Sequence, residues 1–353
     1  MAPYAPLPII EALLQGGLDD GKGWLRMNQR ENMTAILEGR QPDYYGNFFN
    51  AVKIVSDPIR MADVCPADGQ EHRDSWGTTC IRLPDAPGKH PHITDENKVV
   101  KDIEKWREQL VIPPVQGLDW SKAKAEVEAL DRSETFVMFW SAQGLFERSH
   151  FLMGMEDAFC AYLEDPDEMT AMLRAIADFK IASIREAYEQ IRPDIVYFHD
   201  DWGSKQNLFL PPEVWREVIK PLHAEIVQAT HDLGMMFIHH ADCICEPLVE
   251  DMVEMGIDAW QGVIPQNDIV AIQRRTGGKL AMIGGVDSAA IDTEEATEEE
   301  IRAEVRRCID EYCPAGRFFP ALTSHLFHKR NSDIALEELA SYGRAWAAAH
   351  PVA

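Results

Sequence analysis

The sequence predicts a parallel α/β barrel of the (β/α)8 type, on three observations. Short apolar runs recur with helical segments between them, the threading of a parallel sheet. Polar residues capable of chemistry stand just past those runs, where a barrel presents its reactive groups. No glycine-rich phosphate fingerprint follows any run, which disfavours an open doubly wound sheet.

Each element has its own signals. A helix is predicted over Asn28–Leu37, stopped by Gly39, so that residues 1–40 form an N-terminal helical extension. Asp43–Val55, rich in aromatic and amide residues, reads as the first strand. Residues 61–98 form a long excursion, because the Pro, Gly, Asp and His content of its first part, up to Thr94, carries no helical period. Val99–Leu110 and Ser121–Leu130 read as helices. Strands then follow at Thr135–Trp140, Asp194–His199, Met235–His240, Asp258–Val263, Lys279–Gly284 and Arg317–Ala321. Helical periods fill Pro166–Gln190, Pro212–Asp232, Pro247–Met255, Ile269–Thr276, Glu298–Tyr312 and Ile334–Ala348. Pro166, Pro211-Pro212 and Pro247 open helices, and Gly234 and Gly256 close them. The eighth strand is expected inside the irregular region. With no repeat and no low-complexity linker, residues 1–353 read as a single barrel domain.

Composition narrows the function. A formal charge of -25 disfavours nucleic acid, whose phosphates need clustered Lys and Arg. No apolar run approaches the roughly 20 residues that span a bilayer. The N-terminus has no basic start and no cleavage signal, and seven cysteines suggest no disulfide framework. A cytoplasmic protein is the expectation. A homodimer is compatible with the sequence.

The strand ends supply the candidate site. Asn47 and Asn50 belong to the first strand region. Gln143 and Glu147 follow Phe139-Trp140, and His199, Asp200, Asp201 and Trp202 follow Tyr197-Phe198, with Gln206 beyond. His239, His240, Asp242 and Cys243 follow Phe237-Ile238. Gln261 lies on the next strand, Asp287 follows Gly284-Gly285, and His325 and His328 follow the last strand. Alternation sends His239 and His240 to opposite faces, and His240 is nearer the loop. A His-x-Asp pair with a third ligand after the last strand suits Zn²⁺ with an open position. Taken singly, Asp200 and Asp201 also read as helix caps, His239 as a structural histidine, Asp287 as a turn residue and the aromatic residues as core.

Five segments carry a resemblance that spans nearly the whole chain. Arg30 to Gly39 with Pro42-Asp43 resembles the N-terminal helix and first-strand approach of the uroporphyrinogen decarboxylase superfamily. Asp74-Ser75-Trp76-Gly77 resembles its Asp-x-aromatic-Gly turn. Asp200-Asp201-Trp202-Gly203, with Gln206, Pro212 and Lys220-Pro221, resembles its acidic strand end. His240-Ala241-Asp242-Cys243, with Pro247 and Gly256, resembles its His-x-Cys-Gly loop, and Gly284-Gly285-Val286-Asp287 its Gly-Gly-x-Asp turn.

The resemblance implies a (β/α)8 barrel and two functional branches. True decarboxylases clamp a polycarboxylate with N-terminal arginines, and Tyr44 to Val55 contains none. Corrinoid-dependent methyltransferases form the other branch. Thiol-directed members hold Zn²⁺ by His-x-Cys and a later Cys; here Asp242 takes the first Cys position and no Cys stands near Pro320-Ala321. His325 is the replacement ligand this implies, giving His240, Asp242 and His325 as the metal set.

The expected activity is therefore methyl transfer between a phenyl methyl ether and the cobalt of cobalamin on a corrinoid carrier protein, as in anaerobic O-demethylation. His240, Asp242, Asp200 and Asp201 are the expected catalytic groups. Asn47, Phe49, Trp140, Trp202, Gln206, Gln261, Asp287 and His325 are the expected substrate contacts. Aromatic residues near strand ends suit a flat ring. The alternatives are a uroporphyrinogen decarboxylase-type tetrapyrrole decarboxylase and a corrinoid-binding protein without chemistry.

Overall fold

Alternating apolar runs and helices build a curled parallel sheet, seen in a computed structural model that describes residues 27–84, 86, 88–324 and 326–351. β1 (Val52–Ile54) is followed by a small antiparallel sheet of β2 (Glu71–Arg73), β3 (Thr79–Ile81) and β4 (His90–Pro91). Then come β5 (Phe136–Ser141), β6 (Ile195–His199), β7 (Met236–His240), β8 (Ala259–Val263), β9 (Ala281–Val286) and β10 (Phe318–Leu322). The main sheet runs β1-β5-β6-β7-β8-β9-β10, and every pairing in it is parallel. Strands β5 to β10 are almost wholly buried and the edge strand β1 is half-buried, as expected when helices cover one face and strand side chains fill the other.

The described strands number seven in this sheet, and the excursion does not supply an eighth. Residues 71–91 pair antiparallel with each other instead. The two edges are near each other without a described hydrogen-bonded pairing: Phe48, just before β1, meets Phe319 of β10 with ring centroids 5.8 Å apart.

Other departures have local causes. The first strand is short because Asn47 accepts the Phe49 amide and starts a 3-10 turn over Phe48–Ala51, leaving only Val52–Ile54 extended. In 99–110 helix is confined to a 3-10 turn, Ile103–Lys105, and a short helix, Trp106–Gln109. The helix expected over 212–232 is two, Pro212–Val218 and Lys220–His231, because Pro221 has no N–H to continue the first. Two helices absent from the sequence reading, Leu145–Met153 and Met155–Glu164, follow β5. No described helix is long and apolar enough to cross a membrane.

The helix Gln29–Leu37 marks the amino ends of the strands. Arg30 bonds Asp194 Oδ1 at 2.9 Å and the Thr135 carbonyl at 3.3 Å, immediately before β6 and β5. At the other end, buried Arg148 on helix Leu145–Met153 holds the excursion. It donates to Asp74 Oδ2 at 2.7 Å and to Asp63 Oδ2 at 3.3 Å.

Candidate active site at the carboxyl ends of the strands

Register sets the site. Across β6, β7 and β8, His199, His240 and Gln261 are direct partners, so one row of polar side chains crosses three strands on one face. Tyr197, two residues before His199, lies on the same face, and Trp140 is its partner on β5. Phe198, His239 and Trp260 alternate to the other face.

The row meets two loops. Asp201, after β6, and Asp242, after β7, bring carboxylates to His240; ligand-capable atoms of the three all lie within 4.8 Å of one another. Glu147, His199 and Asp201 form a second such group. The two histidine rings are 4.3 Å apart between centroids. The Asp242 amide donates to Asp201 Oδ1 at 3.1 Å, which ties the loops together. Lys205 closes one side, 2.9 Å from Asp242 Oδ2 and bonded to the Asp242 carbonyl. Burial, then the Asp201 charge, raise the Asp242 pKa against the pull of Lys205.

Glu147 and His199 form an ion pair, Nδ1 donating to Oε2 at 2.7 Å. Burial disfavours the imidazolium, but the charges of Glu147, Asp201 and Asp242 outweigh it and push the His199 pKa up to about 10. His240 behaves oppositely. Burial first, then the positive His199, push it down to about 4, so it is a neutral ligand or base. An imidazolium has no lone pair for a metal. The Asp201–His240–Asp242 group therefore fits a divalent cation better than the group containing His199. Its nitrogen and oxygen donors suit Zn²⁺ with open positions.

Several predicted site residues lie elsewhere. Asp200 is fully buried and serves helix Leu145–Met153, accepting the amides of Leu145 at 3.0 Å, Phe146 at 3.2 Å and Glu147 at 2.9 Å, and the Trp202 indole at 3.1 Å. Gly144 allows this approach: a Cβ there would fall 2.3 Å from Asp200 Cβ. Burial, then Glu147, push the Asp200 pKa up to about 7. Trp202 packs on the outer face of the sheet, 4.0 Å from the His239 ring and 4.5 Å from Trp215. Asn47 lies beside Gln29, Asn32 and Met33 at the amino ends of the strands, and Phe49 is held edge-on to Phe48 at 5.2 Å. Asp287 caps the short helix Ser288–Ile291. Gln206 lies on the exposed loop joined by the Gly203–Leu208 bridge. His325 lies outside the described residues, and Asp201 stands as the third oxygen or nitrogen donor beside His240 and Asp242.

The structure brings together His240, Asp242, Asp201, Gln261 and Trp140, and adds Glu147, His199 and Tyr197. Glu147 and His199 stood among the strand-end polar groups, but no local signal pairs residues 52 apart in the chain. The cysteines at 243 and 245 are buried with their sulfurs 3.4 Å apart and take no part in the metal-capable groups.

A parallel barrel sheet with acids and imidazoles gathered at its carboxyl rim defines the architecture of a (β/α)-barrel enzyme. The sequence family model described as uroporphyrinogen decarboxylase (URO-D) matches residues 87–325, and the chain belongs to that family. A solved structure, a methyltransferase from Methanosarcina mazei, is similar with a TM-score of 0.59, over 90% of this chain and 99% of that one, at 11% sequence identity. That likeness speaks for the fold. No curated protein sequence matches the chain.

Proposed function

We propose that this protein is a methyltransferase of the URO-D family that moves a methyl group between a methoxylated aromatic and the cobalt of cobalamin on a corrinoid carrier protein. The observation that carries the reading is the composition of the rim: three carboxylates, a neutral imidazole and an acid-form imidazole gathered in two groups that share Asp201. A polycarboxylate tetrapyrrole needs a cationic cradle. Around the metal-capable groups Lys205 and the Glu147-paired His199 face Glu147, Asp201 and Asp242, and the nearby Arg148 is buried and taken up by Asp74, Asp63 and Gln143, which disfavours the decarboxylase reading.

The chemistry divides between the two groups. Phenolate leaves poorly unless it gains a proton or a Lewis acid. The Nε2–H of His199, oriented by Glu147 through Nδ1, supplies the proton to the ether oxygen as its methyl carbon departs. Asp201, His240 and Asp242 would hold Zn²⁺, whose bound form supplies Lewis acidity at that oxygen. Trp140, partly exposed and packed 4.9 Å from Tyr197, provides an aromatic wall beside the polar row. A reduced corrinoid on the carrier protein would supply the nucleophile that takes the methyl group.

The test offers guaiacol-type ethers to the purified protein with a reduced corrinoid protein and follows the corrinoid absorbance. Methyl transfer supports the reading. Conversion of uroporphyrinogen to a decarboxylated porphyrinogen, with no transfer from any ether, overturns it.

A further inference from the structure

Beneath the carboxylates, Tyr197, His240 and Gln261 form a hydrogen-bonded unit with a definite direction. Tyr197 is fully buried, and burial keeps its side chain a phenol. Its hydroxyl donates to Gln261 Oε1, which spends its one proton. The same hydroxyl oxygen lies 2.9 Å from His240 Nδ1, and Gln261 Oε1 also contacts that nitrogen. Two oxygens therefore face Nδ1, and both present lone pairs. Only a protonated Nδ1 satisfies them.

We infer that Gln261 and Tyr197 fix His240 as the Nδ1–H tautomer and so hold its Nε2 lone pair toward Asp201 and Asp242. They are positioning residues for the imidazole; Gln261 is not a substrate contact in this arrangement. The register makes this possible, since Gln261 is the direct partner of His240 on the adjacent strand, and Tyr197 lies one layer lower on the strand before. Gln261 is itself buried, so its oxygen depends on these two donors for the bonds it would otherwise make to water.

The consequence is a set of acceptors aimed at one another. A ring nitrogen of His240 and the oxygens of Asp201 and Asp242 lie within 4.8 Å of one another, and with Nδ1 bonded to Tyr197 and Gln261, Nε2 is the nitrogen left for a cation. Such a set is relieved by a cation placed among them. Histidines that bind metals characteristically give their other N–H to a carbonyl or carboxylate, and that outer bond fixes ring and tautomer. The amide oxygen of Gln261 takes that part here. The metal arm of the inference rests on the cation-site reading above; the tautomer does not.

The test separates the two. In protein labelled with nitrogen-15 histidine, long-range ring spectra at mildly alkaline pH report which nitrogen carries the proton, and the His240 signals are those lost in His240→Gln. The expected wild-type pattern is Nδ1–H. Gln261→Leu should give a mixed or reversed tautomer, Tyr197→Phe a partial shift, and Gln261→Glu, which keeps an acceptor, the wild-type pattern. Cobalt(II) affinity, read by the ligand-field spectrum, should fall about 10- to 100-fold in Gln261→Leu and recover in Gln261→Glu. A wild-type Nε2–H pattern, as a reversed Gln261 amide would impose, overturns the inference. So does a Gln261→Leu protein whose His240 spectrum is unchanged. A wild-type Nδ1–H pattern without cobalt binding upholds the tautomer and removes the metal site.

Discussion

His199 and Glu147 are joined Nδ1 to Oε2 at 2.7 Å, although one ends β6 and the other lies on the helix after β5. The bond engages Nδ1, leaves Nε2 as the ring nitrogen available to a substrate, and keeps the imidazole charged. Asp200, the residue after His199, caps the first turn of the helix that carries Glu147. The acid pair is thus assembled by its own neighbours.

Glu147→Gln should lower methyl transfer by about 100-fold or more, the range of a lost positioned general acid. The His199 pKa is raised, to about 10, so the acid form is present at neutral pH and is lost only as pH rises through that value. Removing the Glu147 charge lowers the pKa and moves the alkaline fall in activity to lower pH. A pH–rate profile of Glu147→Gln with the same alkaline limb as wild type contradicts the pairing.

Asp201→Ala, His240→Ala and Asp242→Ala should each abolish transfer and metal binding while leaving the fold in place. All three side chains are only partly buried, and the Asp242–Lys205 ion pair is of a kind worth about 0–1 kcal/mol. Metal analysis, transfer assays and circular dichroism of the same samples check this. A variant with full activity refutes its assigned role.

Asp200→Ala should act on stability first. It strands three amides and an indole at a buried helix start, for which about 2–4 kcal/mol is the appropriate scale. Asp200→Asn keeps one oxygen and should lose less. Urea unfolding gives both values, and an Asp200→Ala protein as stable as wild type would disprove the capping role.

Acid should destabilise the protein through its buried histidines. His223 and His239 are fully buried, and no ring nitrogen of either has a described partner. Burial pushes His223 down to about 3 and His239 well below its ordinary value. The unfolded chain therefore takes up protons that the folded one refuses. Stability is full above the ordinary histidine pKa, about 6.5, and declines as pH falls from there toward the folded value, by about 1.4 kcal/mol per pH unit for each histidine. His223→Leu should reduce that slope by about one proton's worth and cost little near neutrality, because no described bond is broken. Urea midpoints across acidic pH measure it; an unchanged slope contradicts the assignment.

Much of the scaffold is legible along the chain. The limits of β6, β7 and β8 fall within a residue or so of the apolar runs, and the helices at 166–191, 269–276 and 298–312 match their helical periods to within a residue, the first opened by Pro166. The excursion is visible as a region without period, yet its antiparallel pairing is not, because β2, β3 and β4 are too short to show alternation. The helix Leu145–Met153 is hidden because its apolar and polar residues are nearly all buried, which erases the amphipathic stripe.

Alternation alone, a local property of an extended backbone, put His239 and His240 on opposite faces, and the apolar runs placed acids and imidazoles at strand ends. Chain order could not say that Asp200 is consumed by a helix start while its neighbour Asp201 reaches His240, that Trp202 turns outward to His239, or that Glu147 returns to His199. Those outcomes depend on inter-strand register and on how loops fold back over the rim. Both are fixed by packing among residues distant in the chain, and neither leaves a periodic trace in it.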